Sequence, residues 1–96
     1  MSGIDARLAE LGISIPQLAK PVAAYVPAVV TGHLVHTAGQ LPFVDGALPA
    51  TGKVGDEVSA EEAAGYARTC VLNALAAAQS VIGSLDRVTR IVKVTG

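Results

Sequence analysis

Tyr25, His33, His36, Gly39, Cys70 and Lys93 are the positions in this 96-residue chain whose types and spacing could handle a ligand. Tyr25 is one of two tyrosines. Its ring can stack on a small planar ligand and its hydroxyl can hold a water or an amine, although a half-buried strand aromatic has the same signature. Gly39 follows Ala38 where a strand should end. It reads as a bulge or turn glycine, or as a place where a missing Cβ lets main chain approach a ligand. Lys93 lies near the end of the last apolar run, where an exposed strand lysine or an interface ion pair is the plain alternative to ligand binding. His33 and His36 are three apart, hence on opposite faces of a regular strand. They cannot chelate one ion, and no Cys, Asp or Glu stands at ligand spacing, so no metal site is expected. An exposed turn suits His33 and partial burial suits His36. Cys70 sits beside Val71 in a helical stretch and reads as a small buried hydrophobe. With no histidine or helix N-terminus to lower its pKa, it is a poor nucleophile.

The elements that must hold these residues follow from periodicity. Ser2-Gly3-Ile4-Asp5 resembles a capping box, and Ile4, Leu8 and Leu11 share one face of a short helix that Gly12 can close. Pro16 and Pro21 bracket an extended linker. Residues 23–30 and 33–37 read as strands joined at Thr31-Gly32-His33, with Pro27 confined to an edge, a bulge or the sheet rim. Asp45-Gly46 is the strongest turn signal and fits a type I′ hairpin or a short loop. Residues 51–55 read as a flexible stretch. Ser59-Ala60-Glu61-Glu62 is a full capping box that opens a helix to Ile82, stopped by Gly83. Its expected packing stripe is Ala63, Ala67, Val71, Ala74, Ala78 and Val81 or Ile82. Gly65 costs such a helix about 1 kcal/mol relative to Ala, which suggests close packing there. Ser84 can cap a short turn, and residues 88–95 alternate as a strand of the same sheet.

Composition narrows the class. The chain is long enough for one domain and buries only about two-thirds of its unfolded surface. It is 51% apolar but 3% aromatic with no Trp, so Ala and Val must do the packing and subunit association is expected to bury the remainder. Net charge is −1, from 7 basic and 8 acidic residues, with no basic tract, which speaks against nucleic-acid binding. A lone Cys70 allows no intrachain disulfide and suits a reducing compartment. No signal-like segment and no apolar run of about 20 residues is present, so a cytoplasmic protein without a membrane partner is expected.

The segment from Pro21 to Pro42 resembles the N-terminal half of the RidA family (reactive intermediate deaminases, also called YjgF-like or L-PSP). That family has a Tyr-x-x-Ala strand, a Gly-Asn or Gly-His turn, and a Ser-Gly-Gln-x-Pro element. Tyr25, Ala28, Gly32, Gly39, Gln40 and Pro42 fall at matching spacings, and Val92-Lys93-Val94-Thr95 matches a later Val-Lys-x-Thr motif. Asn73 matches a helix asparagine read as structural. Ala38 departs from the family's common Ser and removes a hydroxyl from the pocket wall.

The resemblance covers residues 21–96 and implies an α+β fold, a RidA-like (chorismate-mutase-like) sheet with a helix on one face. The order follows the family to Gly96 and stops before its second helix and last strands. Residues 1–20 are expected to form an N-terminal helix and linker, and 21–96 the sheet–helix–strand core. The implied activity is hydrolytic deamination of reactive enamine/imine intermediates, such as 2-aminoacrylate, to 2-keto acids and ammonia. It implies no metal or organic cofactor, a homotrimer with clefts between subunits, and a substrate pocket lined by Tyr25, Ala38, Gly39 and Lys93. The family's carboxylate-clamping Arg and water-positioning Glu match nothing in this sequence, Arg87 and Arg90 included. No catalytic residue is therefore assigned, and the 96-residue chain is expected to be inactive. The alternative is a non-catalytic small-molecule-binding or interaction module. An endoribonuclease or translation inhibitor is disfavoured by the neutral charge.

Overall fold

The computed structural model describes residues 3–18 and 24–96. In chain order it has α1 (Ile4–Glu10), β1 (Ala28–Thr31), β2 (Leu34–Thr37), α2 (Ala60–Ile82) and a 3-10 turn at Leu85–Arg87. It is a small α+β unit in which α2 packs on the β1–β2 hairpin.

The hairpin is antiparallel, with Ala28 opposite Thr37 and Thr31 opposite Leu34. Gly32 takes φ +58 while His33 keeps a negative φ. That is the type II′ pattern, whose twist matches the flanking strands. β1 is shorter than the expected 23–30. Ala23 lies outside the described residues, and the ladder starts only after Pro27, which has no N–H to give. The Pro27 carbonyl does accept from the Ala38 N–H at 2.9 Å. Further on, Asp45 (φ 52) and Gly46 (φ 82) make the type I′ turn between Val44 and Ala47. Residues 51–58 are an ordered turn rather than a flexible stretch. The Asp56 and Val58 N–H groups both donate to the Lys53 carbonyl, and Val58 is buried. Gly52 is required there, since φ is +138 and a Cβ would stand 2.6 Å from that of Glu57.

The capping box of α2 is complete. Ser59 Oγ accepts from the Glu62 N–H at 3.1 Å, and the Glu62 carboxylate accepts from the Ser59 N–H at 2.9 Å. Those bonds hold the Glu62 carboxyl below its ordinary pKa near 4.5. Gly83, at φ 85, ends the helix. The face that α2 buries meets the expected stripe only at Ala78. Asn73, Ala76, Ala77 and Ala78 are buried, whereas Ala67 and Val71 are exposed. The hairpin covers only part of the helix, so Ala67 and Val71 are left uncovered among the described residues. Nor does Gly65 make a close approach, because a Cβ there would meet nothing within 4 Å.

Leu85 is fully buried and anchors the turn after α2, which Ser84 caps by accepting from the Asp86 N–H. The same turn holds α1. Asp86 Oδ1 accepts from the Asp5 N–H at 2.8 Å, and Ser84 Oγ donates to Asp5 Oδ2. The α1 N-terminus is thus capped from a residue far along the chain. The expected Ser2 cap lies outside the described residues.

Residues 88–95 are not a strand of the sheet. Among the described residues, the sheet has β1 and β2 alone, and residues 89–96 make no backbone hydrogen bond to other backbone. Alternating apolar residues favour an extended path, but a ladder needs a neighbour about 4.7–4.9 Å away, and no described segment pairs with this one. Ile91, Val92 and Val94 are consequently exposed. The chain exposes 7033 Å² where a closed monomer of 9.7 kDa exposes about 5,100 Å².

Candidate functional site

One large groove runs between the outer edge of β2 and residues 88–95, with α2 as its floor. Its volume is about 970 Å³. Val71, Ala74, Leu75, Ala78 and Ile82 supply the floor from one face of α2. Of the expected stripe, Val71 is exposed and Ala74 and Ile82 are half-buried here, whereas Ala78 is buried.

Ala38, Gly39 and Gln40 line the groove just past β2, and Lys93 lines the opposite rim. Tyr25 does not line it and is exposed before β1. Three of the four expected ligand-binding positions therefore share one cavity, and the tyrosine stands apart. A Cβ at Gly39 would meet nothing within 4 Å, and the backbone there is not left-handed. Neither crowding within the chain nor φ requires this glycine.

The wall carrying Gly39 is clamped from behind. Buried Asn73 donates from Nδ2 to the carbonyls of Leu41 (3.0 Å) and Phe43 (3.2 Å). The family resemblance marks Asn73 as a structural helix asparagine, but not what it holds. Two carbonyls of an irregular segment that need a donor are visible only in the fold.

The groove's charge is one-sided. Its titratable lining residues are His33, His36, Cys70, Arg87, Arg90 and Lys93, and no Asp or Glu lines it. Arg87 donates to the Ile82 carbonyl at 2.9 Å, while Arg90 and Lys93 form no ion pair among the described residues. Arg87 and Arg90 match no family motif in the sequence, and positions 87, 90 and 93 come together only where the segment lies along the groove. Burial pushes the Cys70 thiol pKa up, so the groove holds no ready thiolate. His36 is exposed on the sheet face away from α2 rather than partly buried, because nothing covers that face among the described residues. The described residues contain no cluster of three or more metal-ligating side chains and no helix long and apolar enough to cross a membrane.

Known proteins resemble this chain in sequence and fold. Residues 5–96 match the family described as "YjgF/chorismate mutase-like, putative endoribonuclease". Protein TCP17 of Trypanosoma cruzi is 39% identical over 90 residues, which is 94% of this chain and 56% of that protein. A crystal structure of a "putative endoribonuclease" from Shewanella oneidensis superposes with a TM-score of 0.86 at 29% identity, over 94% of this chain and 60% of that one. A crystal structure of a protein of unknown function from Agrobacterium tumefaciens gives 0.77 at 35% identity, over 91% and 53%. The chain thus spans little more than half the length of these relatives. On the extent of the family match and the agreement in fold, the chain belongs to the YjgF/chorismate mutase-like family.

Proposed function

We propose that this chain carries the ligand-binding wall of a hydrolytic deaminase that converts reactive enamine/imine intermediates of the 2-aminoacrylate type to 2-keto acids and ammonia. The observation that carries this reading is the groove itself. Uncrowded backbone at Ala38 and Gly39 shares a cavity with unpaired Arg90 and Lys93 and with no carboxylate. Such a wall suits a small planar acid, whose carboxylate meets cations while its flat face lies against main chain. Tyr25 joins the site only if another subunit brings it to the groove, as in the homotrimer proposed here.

Hydrolysis needs more than a wall. Water must add to the imine carbon and ammonia must leave, so the carboxylate has to be anchored and the water oriented. Losing a general acid/base alone costs roughly 10²–10⁴ in rate. Residues 1–96 are therefore expected to bind a 2-keto acid without accelerating its formation. The assay couples a serine or threonine dehydratase to keto-acid release, with the 96-residue chain compared against a version extended to the length of its relatives. Turnover by the longer protein alone is the expected result. Robust turnover by residues 1–96 overturns the mechanism, and inactivity of both points to a non-catalytic binding module.

A further inference from the structure

We propose that α1 is a latch. It is a short helix with no stable fold of its own, held shut by a tie of Asp5, Ser84 and Asp86, and its docking steadies the turn from which residues 88–95 depart. Opening at either place loosens the other. The inference is independent of what small molecule the groove binds.

Three features carry it. The first is how little else holds α1. The helix has seven residues and buries none of them. Among the helices and strands described, it packs only against the Leu85–Arg87 turn. A helix of that length is unstable alone in water. Its Arg7–Glu10 ion pair is exposed and adds little. The second is the difference between its two ends. The C-terminal end closes itself. Gly12 takes φ +69, its N–H donates to the Ala9 carbonyl at 3.1 Å, and the Ile13 N–H donates to the Leu8 carbonyl at 2.9 Å. That is the Schellman pattern, which needs only local residues. At the N-terminal end, Gly3 holds the cap position and has no side chain to offer. The Asp5 N–H is served instead by Asp86 Oδ1 at 2.8 Å, from 81 residues away. Gly3 lets the two meet, since its φ is +87 and a Cβ would stand 3.1 Å from Asp86 Oδ1.

The third is that the tie and the turn share atoms. Ser84 Oγ accepts from the Asp86 N–H at 3.1 Å, which caps the turn, and donates to Asp5 Oδ2 at 3.3 Å, which holds α1. Asp86 gives its N–H to the turn and its carboxylate to the helix. A hydroxyl that donates and accepts at once strengthens both bonds, so losing one weakens the other. Leu85 is fully buried and keeps the turn on the molecule. What the tie governs is the rest of the turn, where Arg87 donates to the Ile82 carbonyl and residues 88–95 begin. By linkage, whatever steadies this turn also favours docked α1.

The test is native-state hydrogen exchange on the 96-residue chain, read at α1, at Arg87 and Val88, and at the buried Ala76, Ala77 and Ala78 of α2. Arg87 and Val88 report on the turn because their N–H groups donate to the Ser84 and Leu85 carbonyls. In the parent, α1 should open more readily than α2. Gly3→Ala changes no residue of the turn. It should nonetheless speed exchange about ten-fold at Arg7 and Leu8, and also at Arg87 and Val88, with α2 unaltered. Asp86→Ala should do the same, whereas Asp86→Asn keeps an oxygen for the Asp5 N–H and should stay near the parent. Any of four results would overturn the proposal. They are α1 exchanging no faster than α2 in the parent, α1 unchanged in both alanine variants, α2 speeded as much as α1, or α1 opened by Gly3→Ala with Arg87 and Val88 unmoved. The last would mean that α1 docks on the turn without steadying it.

Discussion

Gly39 shows what a single position can decide here. Its backbone is not left-handed and a Cβ would meet no atom within 4 Å, so Gly39→Ala costs the fold almost nothing. If main chain at this point faces a ligand, the added methyl stands in the ligand's place. Gly39→Ala is expected to leave the thermal midpoint unchanged and to weaken 2-oxobutyrate binding, read by chemical-shift titration, about ten-fold or more. Unchanged affinity would move the ligand wall elsewhere. Asn73 acts at the same scale from behind the wall. Its two bonds to the Leu41 and Phe43 carbonyls turn an irregular segment into a fixed surface.

At the scale of the element, α2 is the frame and its N-terminus is its best-defined end. The Ser59 backbone N–H, which donates to the Glu62 carboxylate, favours its charged form most, and the Ser59 side chain adds to this. Because the folded pKa lies below the ordinary value near 4.5, the stabilisation is fully present above that value. It is lost as pH falls through the lower folded value. Glu57 shifts the same way, because backbone N–H groups at Glu57 and Lys53 favour its carboxylate. Thermal melts followed by circular dichroism should therefore fall in midpoint as the solution is acidified below that range. Glu62→Gln keeps an acceptor in the box without the titration and should flatten the curve. An identical pH profile for this variant would remove the capping box as the cause.

The whole molecule is looser than its mass requires. Its radius of gyration is 14.2 Å, against about 12.5 Å for a closed domain of this length. Its core is made of Ala28, Val58, Ala76, Ala77, Ala78 and Leu85, all small except Leu85 and Val58. Beyond the groove, the sheet face away from α2 presents Val29 and Leu34 beside His36, with both aliphatics close to half exposed. An apolar face of this kind is a binding surface in waiting. If copies of the chain turn these faces inward, light scattering at micromolar concentration should give a mass near three chains, and Leu34→Asp should return it to one. A stable monomer of the parent chain would rule out association through this face.

The sequence by itself determined the local events. Ser59 and Glu62 wrote the start of α2 and Gly83 its end, while Gly32, Asp45 and Gly46 wrote their turns, because each requires only neighbours within a few residues. The resemblance of residues 25–42 pointed to the family for the same reason, since those matches are of spacing along the chain. Only the tertiary structure decided which face of α2 is buried, that Asn73 holds the groove wall, and that Arg90 joins Lys93 on its rim. It also decided that residues 88–95 lie outside the sheet, although their alternation is strand-like. The reason is physical. Alternation fixes which side chains share a face, but a strand exists only when a second backbone stands beside it to take its hydrogen bonds.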